Sequence, residues 1–226
     1  FSSYANPFIN ILSRIEKYKY EYNILSKYTM SIRQRYKKNR EENEINEEDV
    51  DKLVDMNPDI IIPKIDKLEN CYMKALASVY ILQPPRRLLD FTNIVYINDD
   101  RNLDKNLNYI YKESHDMYYF IYNVYKTNKT FGKQIIEINC DVKKYLLPYL
   151  NEIKYGSVLF NNDIAKQITK FCKNIFDVEN MTVRWLRISY ITMVLNKKNS
   201  IKNKRLLAEQ MSHSLLEQSL YQKILK

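Results

Sequence analysis

Apolar positions divide the chain into stretches of different period. Residues 8–38 carry Ile11, Ile15, Leu25 and Ile32 interleaved with tyrosines, a spacing that predicts one long helix. It closes on a basic stretch, Arg33, Arg35, Lys37, Lys38 and Arg40. Over residues 41–51 the charge changes sign. Asn46 followed by Glu47, Glu48 and Asp49 predicts a helix start there, since anionic side chains suit a helix N-terminus. Asn57-Pro58 and Pro63 punctuate the chain, and a second helix is expected over residues 65–82, with Leu68, Tyr72, Leu76 and Val79 on one face.

Pro84-Pro85 ends that helix, and a β-like run follows from Ile94 to Ile97. Residues 98–116 are polar and loop-like. Tyr118 to Tyr125 and Gln134 to Ile138 are apolar, aromatic and β-branched, with a turn-like segment between them, and predict a hairpin. Beyond residue 140 the pattern is helical, over 141–153, 162–176, 181–196, 201–211 and 214–225. The expected fold class is mainly α with a small antiparallel β-sheet or hairpin. The change of charge sign near residue 41 sets the expected boundary between a helical segment, 1–40, and the main domain, 41–226. Because the text opens at Phe1 directly in helix-like sequence, the chain is expected to be a piece of a longer protein.

Charge changes this picture most. A net charge of +9 favours an anionic partner, nucleic acid first and an acidic membrane surface second. No apolar run reaches membrane-spanning length, so no membrane partner is expected. Cys71, Cys140 and Cys172 are widely spaced and the chain has two histidines, which leaves no zinc-like ligand set; no metal is expected. Reduced thiols and the missing signal peptide place the expected compartment in the cytoplasm or nucleus, not outside the cell. With two glycines in the chain, glycine-rich phosphate loops are excluded, and any phosphate chemistry falls to side chains.

Arg184 and Arg187 stand at i and i+3 on an expected helix, so both guanidinium groups leave one face. A solvated helix face shows that spacing too, but like charges on adjacent turns gain when an anion sits between them, and a phosphate suits bidentate arginine. Ser214 and Glu217 match a capping box, which puts His213 at a helix entrance and makes Tyr221 the seventh helical residue. Earlier, Pro84-Pro85-Arg86-Arg87-Leu88-Leu89-Asp90 places two arginines at a short helix start.

In this order the pieces resemble the boxes of the tyrosine recombinases, the phage-integrase family. Arg184-Trp185-Leu186-Arg187-Ile188-Ser189-Tyr190 resembles the second-arginine box, H-x-x-R-H-S-[FY], and Leu207 to Tyr221 resembles the L-x-x-x-x-G-H-S box with its nucleophilic tyrosine. Arg87-Leu88-Leu89-Asp90 resembles the first-arginine box, R-x-x-E. The hairpin carrying Lys126-Thr127 and Lys129-Thr130 resembles the one that delivers the catalytic lysine. The wording P-P-R-R, Y-K-T-x-K-T-x-G-x-Q and M-x-H-S is similar to integrases of large DNA viruses and their satellite elements.

The resemblance covers residues 41–226 and implies the tyrosine recombinase catalytic-domain fold, with residues 1–40 the remnant or linker of an N-terminal core-binding domain. It also implies site-specific cleavage and rejoining of double-stranded DNA through a 3′-phosphotyrosine, with no cofactor. Arg87 and Arg187 would clamp the scissile phosphate, His213 would add a hydrogen bond to it, and Tyr221 would attack phosphorus. Lys129, or Lys126 if the hairpin is longer, would protonate the leaving 5′-oxygen. Arg33, Arg35, Lys37, Lys38, Arg86 and Lys204 are the expected contacts to DNA. Partners implied are DNA and further copies of the chain, a tetramer on two duplexes and a monomer or dimer off DNA.

Two departures stand out. Arg184 occupies the place of a His or Lys and is no general base. Ser212 replaces a glycine, so the turn before His213 is expected to avoid a positive φ. A type IB topoisomerase would use the same residues, and a non-catalytic basic helical DNA-binding protein would need nothing from Tyr221.

Overall fold

The computed structural model describes residues 9–41, 47–160, 163–197, 200–212, 214–219 and 221, with the backbone alone at 35–41, 47–48, 196–197 and 216–217. The chain divides near residue 44 into two compact units, the second running to residue 223.

In the first unit the helix expected over 8–38 is interrupted. A helical turn at residues 9–12 gives way to a 3-10 turn, Glu16–Tyr18, and then to helix α1 (Lys19–Glu41). The break falls where the Ser13 hydroxyl donates to the Asn10 carbonyl (2.8 Å) and Ile15 adopts an extended backbone; a short side-chain hydroxyl competes with the helix ladder for that carbonyl.

The second unit is mostly helical. After a 3-10 turn, Glu47–Lys52, comes α2 (Pro58–Asp66), in the stretch that Asn57-Pro58 and Pro63 punctuate and ahead of the helix expected from residue 65. Pro58 fills the first helical position, where no N–H is needed, and the Asn57 side chain caps the turn by accepting from the Asp59 N–H. Next is α3 (Cys71–Ile81), capped by Asn70, whose side chain accepts from the Met73 N–H at 2.9 Å. Residues 75–81 are buried without a break, so α3 is apolar all round and forms the centre of the core. The remaining helices are α4 (Leu88–Phe91), α5 (Asn128–Phe131), α6 (Cys140–Leu150), α7 (Ile164–Phe176), α8 (Val183–Lys197), α9 (Ile201–Gln210) and α10 (Leu215–Ser219). Helices α6, α7 and α8 pack around α3.

The sheet has four strands in the order β1 (Val95–Ile97), β2 (Tyr109–Lys112), β3 (Tyr118–Tyr122) and β4 (Gln134–Glu137). Strands β2, β3 and β4 are antiparallel, whereas β1 runs parallel to β2 with Val95 opposite Tyr109. Strand β2 lies inside the stretch expected to be loop, because a single Tyr-Ile-Tyr run sits in polar surroundings there. Phe91 joins sheet to helix: its ring meets Tyr80 of α3 at 5.1 Å, Phe120 at 5.6 Å and Tyr122 at 6.0 Å. The residues just before Phe91 are thereby fixed between α3 and the sheet.

No helix among the described residues is long and apolar enough to cross a membrane. Nor do three His, Cys, Asp or Glu side chains among them cluster where they could hold a metal ion.

Candidate active site

The two adjacent arginines after Pro84-Pro85 have opposite fates. Arg87 has an extended backbone and serves as the N-cap of α4, so its side chain and that of Arg86 leave the chain on different sides. Arg86, expected on the DNA face, is instead buried, with 2% of its surface exposed. Its Nε donates to Asp90 Oδ2 (2.8 Å), its Nη1 to Gln134 Oε1 (2.7 Å) and to the Gln210 carbonyl (2.9 Å), and its guanidinium stacks over Tyr122 at 3.9 Å. A group so held is part of the frame. Asp90 is fully buried, and burial pushes its carboxyl above the usual range despite the opposing pull of Arg86, Arg187 and Arg87. Three guanidinium groups therefore act on one carboxylate, which places Arg87 and Arg187 in the same electrostatic cluster.

Strands β3 and β4 supply the hairpin, closing at the pair Tyr122 and Gln134. Asn108, at the start of β2, secures its base: the amide donates to the carbonyls of Asp90 and Val124 (both 2.9 Å) and accepts from the N–H groups of Asn123 and Val124 (both 2.8 Å). One buried side chain thus ties the arginine segment to the hairpin. Between the strands, α5 ends at Gly132, whose φ of 68° is a backbone few other residues adopt readily. Lys126 and Lys129 are both exposed on this loop, Lys129 within α5.

Arg187 lies on α8 and is 2% exposed; Arg184, one turn earlier, is exposed. The expected arginine pair is therefore divided between interior and surface. Ser189 is also buried: its hydroxyl accepts from the Val54 N–H (3.1 Å) and donates to the Lys52 carbonyl (3.4 Å), so it holds the segment leading into α2.

After α9 the chain turns at Ser212, with φ of 54°. This overturns the expectation that a serine there would avoid the left-handed region. Ser212 is wholly buried; its Oγ donates to Gln134 Oε1 (3.0 Å), and its carbonyl accepts from Thr127 Oγ1 (3.1 Å) and from Arg87 Nη1 at 3.5 Å, a long hydrogen bond. These contacts offset a backbone cost of about 1–2 kcal/mol for a residue with a Cβ. His213 lies outside the described residues. The helix that follows, α10, is short, and Tyr221 sits in the turn after it, with its N–H bonded to the Gln218 carbonyl (3.0 Å), rather than in the helix as expected. The Tyr221 ring lies 5.7 Å from the Arg187 guanidinium, within cation–π range.

Arg87, Arg187, Tyr221 and the Ser212 turn are thus brought together, with the lysine-bearing hairpin joined to them through Thr127. Lys204 lies partly buried on α9. Arg33 is exposed in the first unit, and the side chains of Arg35, Lys37 and Lys38 lie outside the described residues. Asn108 carried no sign in the sequence, and Thr127 and Gln134 stand in the Y-K-T-x-K-T-x-G-x-Q wording without a role of their own. The i, i+4 spacing of Arg86 and Asp90 was a visible sign of an internal ion pair.

No protein-family model matches the chain, and no curated protein matches it in sequence. Among solved structures the chain is similar to the crystal structure of XerA recombinase, with a TM-score of 0.52 and 17% identity over 76% of this chain and 60% of that one. It is also similar to the XerH site-specific recombinase bound to palindromic difH substrate in a post-cleavage complex, with a TM-score of 0.50 and 19% identity over 81% of this chain and 50% of that one. The chain spans 60% and 50% of the lengths of these two recombinases. At such identity the likeness is one of fold: the mainly helical unit with its small sheet has the tyrosine recombinase catalytic-domain fold.

Proposed function

We propose that this chain cleaves and rejoins DNA strands at specific sites through a 3′-phosphotyrosine on Tyr221, as the catalytic part of an integrase of a virus or mobile element. The observation that carries the proposal is the meeting of Tyr221 with Arg187 at 5.7 Å, beside a turn whose carbonyl is held by Arg87. One arginine against the tyrosine and a second at the neighbouring turn suit a phosphodiester better than a carbonyl or a sugar, since their forked donors match the non-bridging oxygens. The likeness of fold to a recombinase captured after cleavage supports the same chemistry.

In this scheme the Tyr221 hydroxyl attacks phosphorus, releasing its proton to the solvent that reaches this partly buried residue. The bond to the 5′-oxygen breaks, and a hairpin lysine supplies the proton that the leaving oxygen takes up. Arg87 and Arg187 balance the charge that grows on the phosphoryl oxygens, and His213 donates a further hydrogen bond. Attack by a 5′-hydroxyl on the phosphotyrosine reverses these steps and reseals the strand. The protein works on double-stranded DNA in the cytoplasm or nucleus, as a tetramer holding two duplexes.

The test is capture of the intermediate. The protein is mixed with a pool of nicked duplexes of randomised sequence, in which the cut fragment diffuses away and religation fails. An SDS-resistant protein–DNA adduct is the expected product; none across the pool would overturn strand cleavage. Exchange between two duplexes supports recombination, whereas relaxation of supercoils without exchange points to a topoisomerase.

Two side-chain predictions test the roles in this scheme. Arg187→Ala is expected to slow adduct formation about 10²–10³-fold, the usual effect of removing one donor to a developing oxyanion, with a modest loss of duplex affinity. An unchanged rate removes Arg187 from the chemistry. Lys129→Ala is expected to slow cleavage about 10²–10⁴-fold and Lys126→Ala far less. On a substrate whose leaving 5′-oxygen is replaced by sulfur, which departs without a proton, the Lys129→Ala rate should return toward wild type. The reverse ranking would assign the proton to Lys126.

A further inference from the structure

Gln134 joins three segments that the proposed chemistry needs in register. It opens β4, where its backbone is fixed by pairing with Tyr122. Its Oε1 accepts from Arg86 Nη1 (2.7 Å) and from Ser212 Oγ (3.0 Å), while its Nε2 donates to the Glu209 carbonyl (3.2 Å). Arg86 completes the set by donating to the Gln210 carbonyl (2.9 Å). The carbonyls of Glu209 and Gln210 belong to the last turn of α9, and that of Glu209 also accepts from the Ser212 N–H (3.0 Å). Side chains from the arginine segment and from the sheet thus cap the end of α9. They also grip Ser212, the residue in the left-handed region from which the chain leads through His213 to Tyr221.

We propose that Gln134 is a positioning residue for Tyr221 and His213: it sets where the segment 209–212 ends, and so where the nucleophile stands relative to Arg87 and Arg187. The inference rests on the strand-cleavage reading. Its physical basis is an asymmetry. The sheet holds the backbone of Gln134, so deleting its amide leaves the hairpin in place and loosens the end of α9, which keeps only the Arg86 bond to the Gln210 carbonyl and the local Ser212 N–H bond to the Glu209 carbonyl. Arg86 keeps its ion pair with Asp90 and its stacking on Tyr122 when Gln134 is lost, which confines the effect to the segment leading to Tyr221. A nucleophile misplaced by about 1 Å costs about a hundredfold in rate.

Gln134→Leu removes all three hydrogen bonds at similar volume, and Gln134→Glu keeps the acceptor for Arg86 and Ser212 while losing the donor to Glu209. Adduct formation on the nicked duplex is expected to fall about tenfold to a hundredfold in Gln134→Leu and to recover most of that loss in Gln134→Glu. Duplex affinity should stay near wild type. On the 5′-sulfur substrate the Gln134→Leu deficit should persist, because the displaced group is the nucleophile, in contrast to Lys129→Ala. Hydrogen exchange without DNA should quicken at residues 207–212 and not in β3.

Ser212→Ala removes one of these bonds and serves as the second variant should Gln134→Leu fold poorly; it should show the same deficit in smaller degree, again not rescued by sulfur. No adduct from the wild-type protein would overturn strand cleavage itself, whatever Gln134 does. A wild-type adduct with an unchanged rate in Gln134→Leu, or full rescue by sulfur, would overturn the positioning role alone.

Discussion

Tyr221→Phe is expected to abolish the covalent DNA adduct while leaving the fold and duplex binding unchanged. Phenylalanine keeps the ring that faces Arg187, and a guanidinium is attracted to the face of either ring, so the turn after α10 retains its contact. What is lost is the only oxygen that the scheme places at phosphorus. The chain has 20 tyrosines, so the adduct must also be mapped to its peptide. Two others stand in the same charged cluster, Tyr80 and Tyr122. Both are buried, and burial pushes their hydroxyls well above the usual range, which makes them poor nucleophiles with no path to a phosphate. An equal yield of adduct from Tyr221→Phe would move the chemistry to another tyrosine. A duplex affinity that fell together with the adduct would show that the substitution disturbed more than the hydroxyl.

Amphipathic helices were the most legible part of the fold. Ile164, Ile168, Phe171, Cys172 and Ile175 recur at helical spacing, and α7 forms within two residues of its expected start. Strands β3 and β4 were legible for the matching reason, dense aromatic and β-branched residues on both sides of a turn. Strand β2 was not. It is four residues long, and the connection to its antiparallel partner β3, residues 113–117, holds no glycine or proline to mark a turn. Helix α2 was hidden because proline both breaks helices and starts them; only the cap at Asn57 tells the two apart.

The site was legible as a set of residue types in order, and much less so as contacts. Arg187 lies 5.7 Å from the Tyr221 ring, yet Arg184 and Arg187 share a helix face on paper and differ in burial, because α8 turns one of them toward Asp90 and leaves the other outside. Ser212 shows the limit most clearly. A serine in place of glycine reads as a bar to positive φ, but three hydrogen bonds from distant segments hold it there. Gln134, Thr127 and Arg87 all stand in motif wording, but their spacing along the chain does not show that they converge on Ser212.

Arg86→Met is expected to destabilise the protein by about 3–5 kcal/mol at neutral pH, the range for breaking a buried ion pair by removing one partner. Against a total stability of about 5–15 kcal/mol this is a large fraction. The cause is less the lost attraction than the carboxylate left behind, since Asp90 has no exposed surface and already sits above the usual range because burial disfavours its charge. The sign of the pH dependence follows. A carboxyl whose folded value is raised holds its proton more tightly in the folded chain. Its stabilising contribution is therefore full below the ordinary carboxylate range and declines as pH rises through that range to the raised folded value. Removing Arg86 raises the folded value further, so the variant should regain part of its deficit on acidification. Replacing both partners, Arg86→Met with Asp90→Leu, should restore much of the stability at neutral pH, because no charge is then stranded. Urea unfolding at matched pH measures all three. A loss in Arg86→Met no larger than that of an exposed pair, about 1 kcal/mol or less, would mean that Arg86 is not the structural centre of this cluster and would return it to the set of residues available to DNA.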